Sequence, residues 1–243
     1  MTPESDREAL YAQLEIIGTT VPVDEERLPQ RLSPVYRRVG DPEVILVPVE
    51  EGGPELPQLC EEDLDWVREQ EEGGGFQHID PPISARPDHL LMQFEPDRAP
   101  ELIHVARLDE RLAETYQDAL RRAEQALTRG DRAEALRLAS RAVRSVRPWE
   151  PIPRLLQLAL ARQSVPGREI PPRHITRLEE GIQVISQSKL WEAWSKLSSD
   201  ALPSVQELIK QELEHWHPGF STPPVPVKPA VQEASLKRKP AYL

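Results

Sequence analysis

The chain has 243 residues, with 41 acidic and 30 basic side chains for a formal net charge of −11, 26 prolines and a mean hydropathy of −0.54. That length supports one or two domains with a buried core. The apolar runs, such as Val44 to Val47 and Leu155 to Leu160, fall far short of the roughly 20 residues a membrane-spanning helix needs, so no membrane partner is expected. The opening Met-Thr-Pro-Glu-Ser-Asp-Arg is acidic and polar where a secretory leader is basic and then apolar, which predicts an intracellular, cytoplasmic location. The one cysteine, Cys60, cannot form an internal disulfide or a thiolate metal cage. Glu61, Glu62, Asp63 and Asp65 surround it with negative charge that disfavours a reactive thiolate.

Charge is unevenly spread. Residues 1–100 carry 23 acidic and 8 basic side chains, whereas residues 101–243 carry 18 acidic and 22 basic. Such a bipolar chain implies two segments that dock on each other, or two faces meant for different partners. Composition divides the chain into an acidic α+β region over 1–99, an all-α helical domain over 100–216 and a proline-rich basic tail over 217–243. The fold class expected is mainly α.

In the first region, Leu10, Leu14 and Ile17 share one side of a predicted helix over Ser5 to Ile16. The run Val44-Ile45 with Val47 predicts a strand over Glu43 to Val49, bounded by Asp41-Pro42 and Gly52-Gly53-Pro54. Cys60 to Gln70 reads as an acidic helix that buries Leu64 and Val67, places Trp66 at its edge and ends at Gly73-Gly74-Gly75. His89 to Phe94 reads as a second strand. Pro54 with Pro57, and Pro81-Pro82 with Pro87, read as breakers between these short elements.

From Pro100 to Thr128 the pattern becomes helical, with Val105, Leu108, Leu112, Tyr116, Ala119, Ala123 and Leu127 recurring every three or four residues. Gly130 supplies the left-handed residue that closes a helix. Asp131, with Glu134 three residues on, starts the next. That second helix places Ala135, Leu138, Ala139, Ala142, Val143 and Val146 on its buried side and ends at Pro148. Further helices are predicted over Pro151 to Gln163, over one long segment from Ile175 to Leu197, and over Leu202 to His215. This makes five helices joined by short loops.

Gly130-Asp131, Ala135-Leu136 and Ala142-Val143, with Ala123 upstream, make the block at about residues 112–148 resemble one unit of the tetratricopeptide family. The resemblance implies a helical hairpin that presents a surface to a peptide or partner protein. The chain departs from the family at Ala119, Arg122, Ala126 and Arg132, which replace large or aromatic residues. The position one period after Gly130 is Ser164, so no array of repeats follows.

Catalytic signatures are absent from the sequence. Gly73-Gly74-Gly75 lacks the lysine and helix of a phosphate loop, and there is no Gly-x-Ser-x-Gly elbow. Glu212 and His215 have a metal-ligand spacing, but His215 reads better as a helix C-terminal residue favoured by the dipole, so neither a metal nor a cofactor is expected. His78, His89, His104 and His174 are isolated in sequence. Arg137, Arg141 and Arg144 fall at i, i+4 and i+7 as a stripe on the outer face of the second hairpin helix. The stripe offers charge to an acidic peptide, to RNA phosphates or to the chain's own acidic half.

In the tail, Pro223-Pro224-Val225-Pro226-Val227-Lys228-Pro229 favours polyproline II, and Pro223, Pro226 and Lys228 resemble the ligand of an SH3 domain. Lys237, Arg238 and Lys239 then form a basic patch before Tyr242, and the tail as a whole reads as disordered. The function expected is a non-enzymatic adaptor or accessory subunit. Its partners are one or more proteins, an acidic peptide or a larger assembly, bound through the arginine stripe and these tail residues. The alternatives are RNA binding through Arg137, Arg141 and Arg144, or an enzyme with an unrecognised site in the N-terminal half.

Overall fold

The computed structural model describes residues 3–41, 44–46, 63–147, 149–163 and 171–220. Its N-terminal part begins with α1 (Pro3–Tyr11), followed by β1 (Leu14–Thr19), β2 (Gln30–Arg31), β3 (Pro34–Arg38) and β4 (Val44–Leu46). Helix α2 (Asp63–Glu72) precedes β5 (Gln77–Ser84), β6 (His89–Gln93) and β7 (Glu101–His104). The strands form a four-stranded sheet in the order β4-β3-β1-β5 and a three-stranded sheet in the order β2-β6-β7, with every pairing antiparallel.

The helix predicted over Ser5 to Ile16 stops at Tyr11, and the chain turns into β1. The reason is burial on both faces. Leu14 and Ile16 join Tyr11, Leu32, Tyr36, Ile79 and Leu91 in one core, while Ile17 packs with Val35, Val67 and Phe76 in another. A central strand buried on two sides loses the alternation that marks a half-buried one, and its apolar residues then mimic helical spacing. A register shift between Ile16 and Gly18 on both sides of β1 helps to place Ile16 and Ile17 in separate cores. Strand β5 runs through Pro81-Pro82 instead of breaking there; as an edge strand it tolerates the missing donors. Helix α2 starts at Asp63 and buries Val67 against Phe76, with Leu64 and Trp66 packed beside them. It ends at Gly73 and Gly74, the latter at φ +72°. Cys60 lies outside the described residues.

The helical part comprises α3 (Leu108–Thr128), α4 (Arg132–Arg144), α5 (Ile152–Arg162), α6 (Pro172–Gln183), α7 (Gln187–Leu197) and α8 (Pro203–Trp216). It begins later than residue 100 because Glu101–His104 pairs with β6, and Val105 is exposed instead of heading the apolar stripe. Gly130 adopts φ +77°, and the Asp131 carboxylate accepts from the Glu134 N–H at 3.0 Å, so α3 and α4 meet through the expected turn. Helix α4 ends at Arg144 with Ser145 as its cap, short of Pro148.

The single helix predicted from Ile175 to Leu197 is two helices. The chain turns at Val184 to Ser186, where the apolar register shifts, and Val184 is left 85% exposed. There are therefore six α-helices among the described residues after residue 107. Helix α5 is apolar on nearly every side, burying Ile152, Leu155, Leu156, Leu158, Ala159 and Leu160, and packs against α4, α6 and α8. Fully burying one such leucine contributes about 1.5–3 kcal/mol. Alanines 119, 123, 126, 135, 139 and 142 are buried along α3 and α4, letting the two backbones approach closely. Glu124 on α3 accepts from the Ser204 and Val205 N–H groups at 3.1 and 2.8 Å, which supplies the N-terminus of α8 with a carboxylate and fixes it to α3. The molecule is mainly α with an α+β N-terminal region, and no helix among the described residues is long and apolar enough to cross a membrane.

Candidate functional site

Of the arginine stripe, Arg141 is buried, Arg137 is half-buried and Arg144 is exposed. Arg141 is 3% exposed, and its Nε and Nη1 have no hydrogen-bond partner among the described residues. Burial lowers its pKa, opposed mainly by the charge of Glu95. Arg144 donates its Nε to the Leu28 carbonyl at 2.9 Å, and the carboxylates of Asp24 and Glu26 are near enough to act on its charge. Arg137 makes a two-pronged bond to Glu134, with both distances 2.7 Å. This holds the Glu134 carboxyl below its usual range and raises Arg137. The face of α4 that carries the arginines is turned towards the N-terminal part of the chain. The sequence period located the stripe but could not say which side of α4 faces solvent, because α4 packs on α3, α5 and the turn at Glu25–Arg27.

Other side chains join the same two parts. Arg111 on α3 bonds both oxygens of Glu101 on β7, at 3.1 and 2.8 Å, and stacks over Phe94 at 4.4 Å. The Glu101 hydrogen bonds raise the Arg111 pKa. Arg122 approaches Glu95 at 3.8 Å and Asp118 at 3.6 Å.

A cavity of about 360 Å³ opens beside this contact, with His89 and His104 on its wall. The two histidines are not isolated. They face each other across β6 and β7, with ring centroids 5.0 Å apart. His89 Nδ1 lies 2.6 Å from the Pro87 carbonyl, and His104 Nδ1 accepts from the Ala106 N–H at 3.1 Å. Those bonds make His89 the Nδ1–H tautomer and His104 the Nε2–H tautomer. The cavity wall sets three guanidinium groups, from Arg86, Arg107 and Arg111, against the carboxylates of Glu101, Glu110 and Glu114, so neither charge is in excess.

Glu212 is buried. It accepts from Trp216 Nε1 at 2.9 Å and lies 3.4 Å from the Arg162 guanidinium, so the Glu212 and His215 pair has its carboxylate committed to packing. No group of three or more His, Cys, Asp or Glu among the described residues could hold a metal ion.

A groove of about 460 Å³ lies between α3, the α4–α5 connection and α7. Tyr116 reaches it from α3, Trp149 from the connection, and Ala193 and Leu197 from α7. Trp149 is 55% exposed, with the Arg147 guanidinium 5.3 Å from its ring centre. Arg147 is itself held by Asp109 at 2.6 Å. Three carboxylates line the groove. Glu192 pairs with Lys196 at 2.9 Å, and burial raises the Glu150 carboxyl, while the Asp200 side chain makes no hydrogen bond or ion pair with a described residue. Burial, with Glu150 and Asp200 nearby, also raises the Tyr116 phenol.

Sequence reasoning missed Trp149 because it stands alone between Pro148 and Pro151, outside any periodic segment. The predicted tail residues Pro223, Pro226, Lys228, Lys237, Arg238, Lys239 and Tyr242 lie outside the described residues. No family model, curated protein or solved structure matches the chain.

Proposed function

We propose that this protein is a non-enzymatic adaptor or accessory subunit that binds a partner protein through the Trp149 groove, with the basic proline-bearing tail as a second docking element. The observation that carries this reading is Trp149 itself. Trp149 is 55% exposed and stands outside the helical core, and tryptophan is among the residues that dominate binding energy at interfaces. The tetratricopeptide-like hairpin fits the same reading, since α3 and the chain following α4 build two walls of the groove. Binding of RNA or an acidic partner by the arginine stripe is disfavoured, because Arg141 is buried and Arg137 is held by both oxygens of Glu134.

Affinity capture from native extract, with the full chain and with Trp149→Ala, tests the proposal. A stoichiometric partner should be retained by the wild type and weakened at least about tenfold by the substitution, in keeping with a loss of 1.4 kcal/mol or more at an aromatic anchor. A partner held equally by both chains would remove the groove from the reading, and no stoichiometric partner for either would end it.

A further inference from the structure

Two histidines from adjacent strands sit ring to ring where the sheet region passes into the helices. His104 is the last residue of β7, and a short 3-10 helix, Val105–Arg107, runs from it straight into α3. The His104 backbone is extended, at φ −62° and ψ 133°, and its Nδ1 accepts from the Ala106 N–H at 3.1 Å. That is the bond an asparagine or aspartate oxygen makes at a helix start. The Val105 N–H beside it is held by the Asp88 carbonyl at 2.9 Å. An imidazole accepts such a bond only while it is neutral. Once protonated it carries hydrogen on both nitrogens, so Nδ1–H faces Ala106 N–H, donor against donor, and the capping bond is lost.

We propose that His104 is an acid-sensitive latch on the junction between β7 and α3, closed while its imidazole is neutral and released when the ring takes up a proton. His89 belongs to the same device. Its Nδ1 lies 2.6 Å from the Pro87 carbonyl, which leaves Nε2 to gain a proton without breaking a described bond. The charge so gained sits against the His104 ring, at 5.0 Å between centroids, and opposes a second proton there, so the two rings titrate as a pair. The other charges around them are Arg86 and Asp88 before β6, Glu101 on β7, Arg107 on the 3-10 helix, and Glu110, Arg111 and Glu114 on α3. Asp88 is paired with Arg7 of α1 at 3.0 Å, Glu101 with Arg111 at 2.8 Å, and Glu110 with Arg107 at 3.5 Å. Carboxylates and guanidinium groups ordinarily keep their charge between pH 5 and 8, whereas histidine changes its own there. Release loosens the path into α3 and leaves the grip of Arg111 on Glu101 to hold that helix to β7.

The test is a pH titration of the full chain from 8 to 5, followed by NMR. The imidazole ¹⁵N shifts of His104 should show the Nε2–H tautomer at pH 8 and the charged ring at pH 5. The Ala106 amide proton should move upfield with the same midpoint. Amide exchange at residues 105–108, referred to the unfolded-chain rate at each pH, should rise about fivefold over the range, the scale of one lost capping bond. His104→Asn keeps an uncharged acceptor at every pH, so its Ala106 signal and its exchange should stay level. His89→Phe removes the opposing charge, and the Ala106 transition should move to higher pH. An Ala106 amide that ignores the titration of His104, or an Nδ1–H tautomer of His104 at pH 8, would overturn the latch. So would a wild-type pH response in His104→Asn, which would assign it to another group. An unmoved transition in His89→Phe would strike His89 from the device.

Discussion

Gly18 is the fifth of the six residues of the buried strand β1, and its lack of a side chain is a packing requirement. A Cβ built there would collide with the tip of the Phe76 ring and lie 2.8 Å from the Gln77 carbonyl on the neighbouring strand. The ring can swing aside, but the carbonyl is fixed by the pairing of β1 with β5. Overpacking of this kind costs about 1–3 kcal/mol. Gly18→Ala should therefore lower the urea midpoint by that free energy divided by the slope of the transition, with the slope itself unchanged. Adding Phe76→Leu to Gly18→Ala should recover only the part due to the ring. Full recovery would mean that the backbone carbonyl yields, and no loss in the single variant would mean that β1 can shift its register.

At the scale of elements, α4 shows both what its sequence determined and what depended on packing. Its start was legible because Gly130 and Asp131 act locally, one through a positive φ and the other through a bond to Glu134. Its orientation was not legible, since a period of 3.6 gives which residues share a face and not which face meets another element. For the same reason β1, buried twice over, passed for a helix, and β5 was hidden by its prolines. The break between α6 and α7 left a trace only in the phase of Leu190 relative to Ile185. Of the groove, the sequence displayed Tyr116 as a member of a stripe, but Trp149 has no periodic neighbour and joins Tyr116 only through the tertiary fold.

The consequence for α4 is measurable at Arg141. A buried guanidinium with two unpartnered nitrogens carries a desolvation cost that the nearby charge of Glu95 offsets only in part. Arg141→Met, which keeps most of the volume, should leave stability unchanged or raise it by about 1–2 kcal/mol, whereas Arg141→Ala should lower it by opening a cavity. Thermal unfolding of the two variants separates these terms. A loss on Arg141→Met comparable to that on Arg141→Ala would show that the guanidinium has a bound partner in solution.

At the scale of the whole molecule, charged side chains of the helical part reach the acidic first hundred residues, Arg122 approaching Glu95 at 3.8 Å and Arg144 lying near Asp24 and Glu26. Arg144 reaches the Leu28 carbonyl from α4, and Arg111 on α3 grips Glu101 while covering Phe94. The helical core is separate from the two cores of the sheet region, so these polar contacts couple units that each have apolar interiors of their own. Hydrogen bonds to charged groups contribute about 1.5–3 kcal/mol each. Removing the three that Arg111 and Arg144 make should therefore uncouple the units without unfolding the helices. In a chain with Arg111→Leu and Arg144→Leu, amide hydrogen exchange should accelerate in β1, β3 and β6 at least about tenfold, which corresponds to 1.4 kcal/mol or more. Amides of α5 and α8, which do not touch the contact, should exchange as in the wild type. Equal acceleration everywhere would mean that the chain opens as one cooperative unit. No acceleration in the strands would mean that the sheet region holds itself together and that the arginines only orient it.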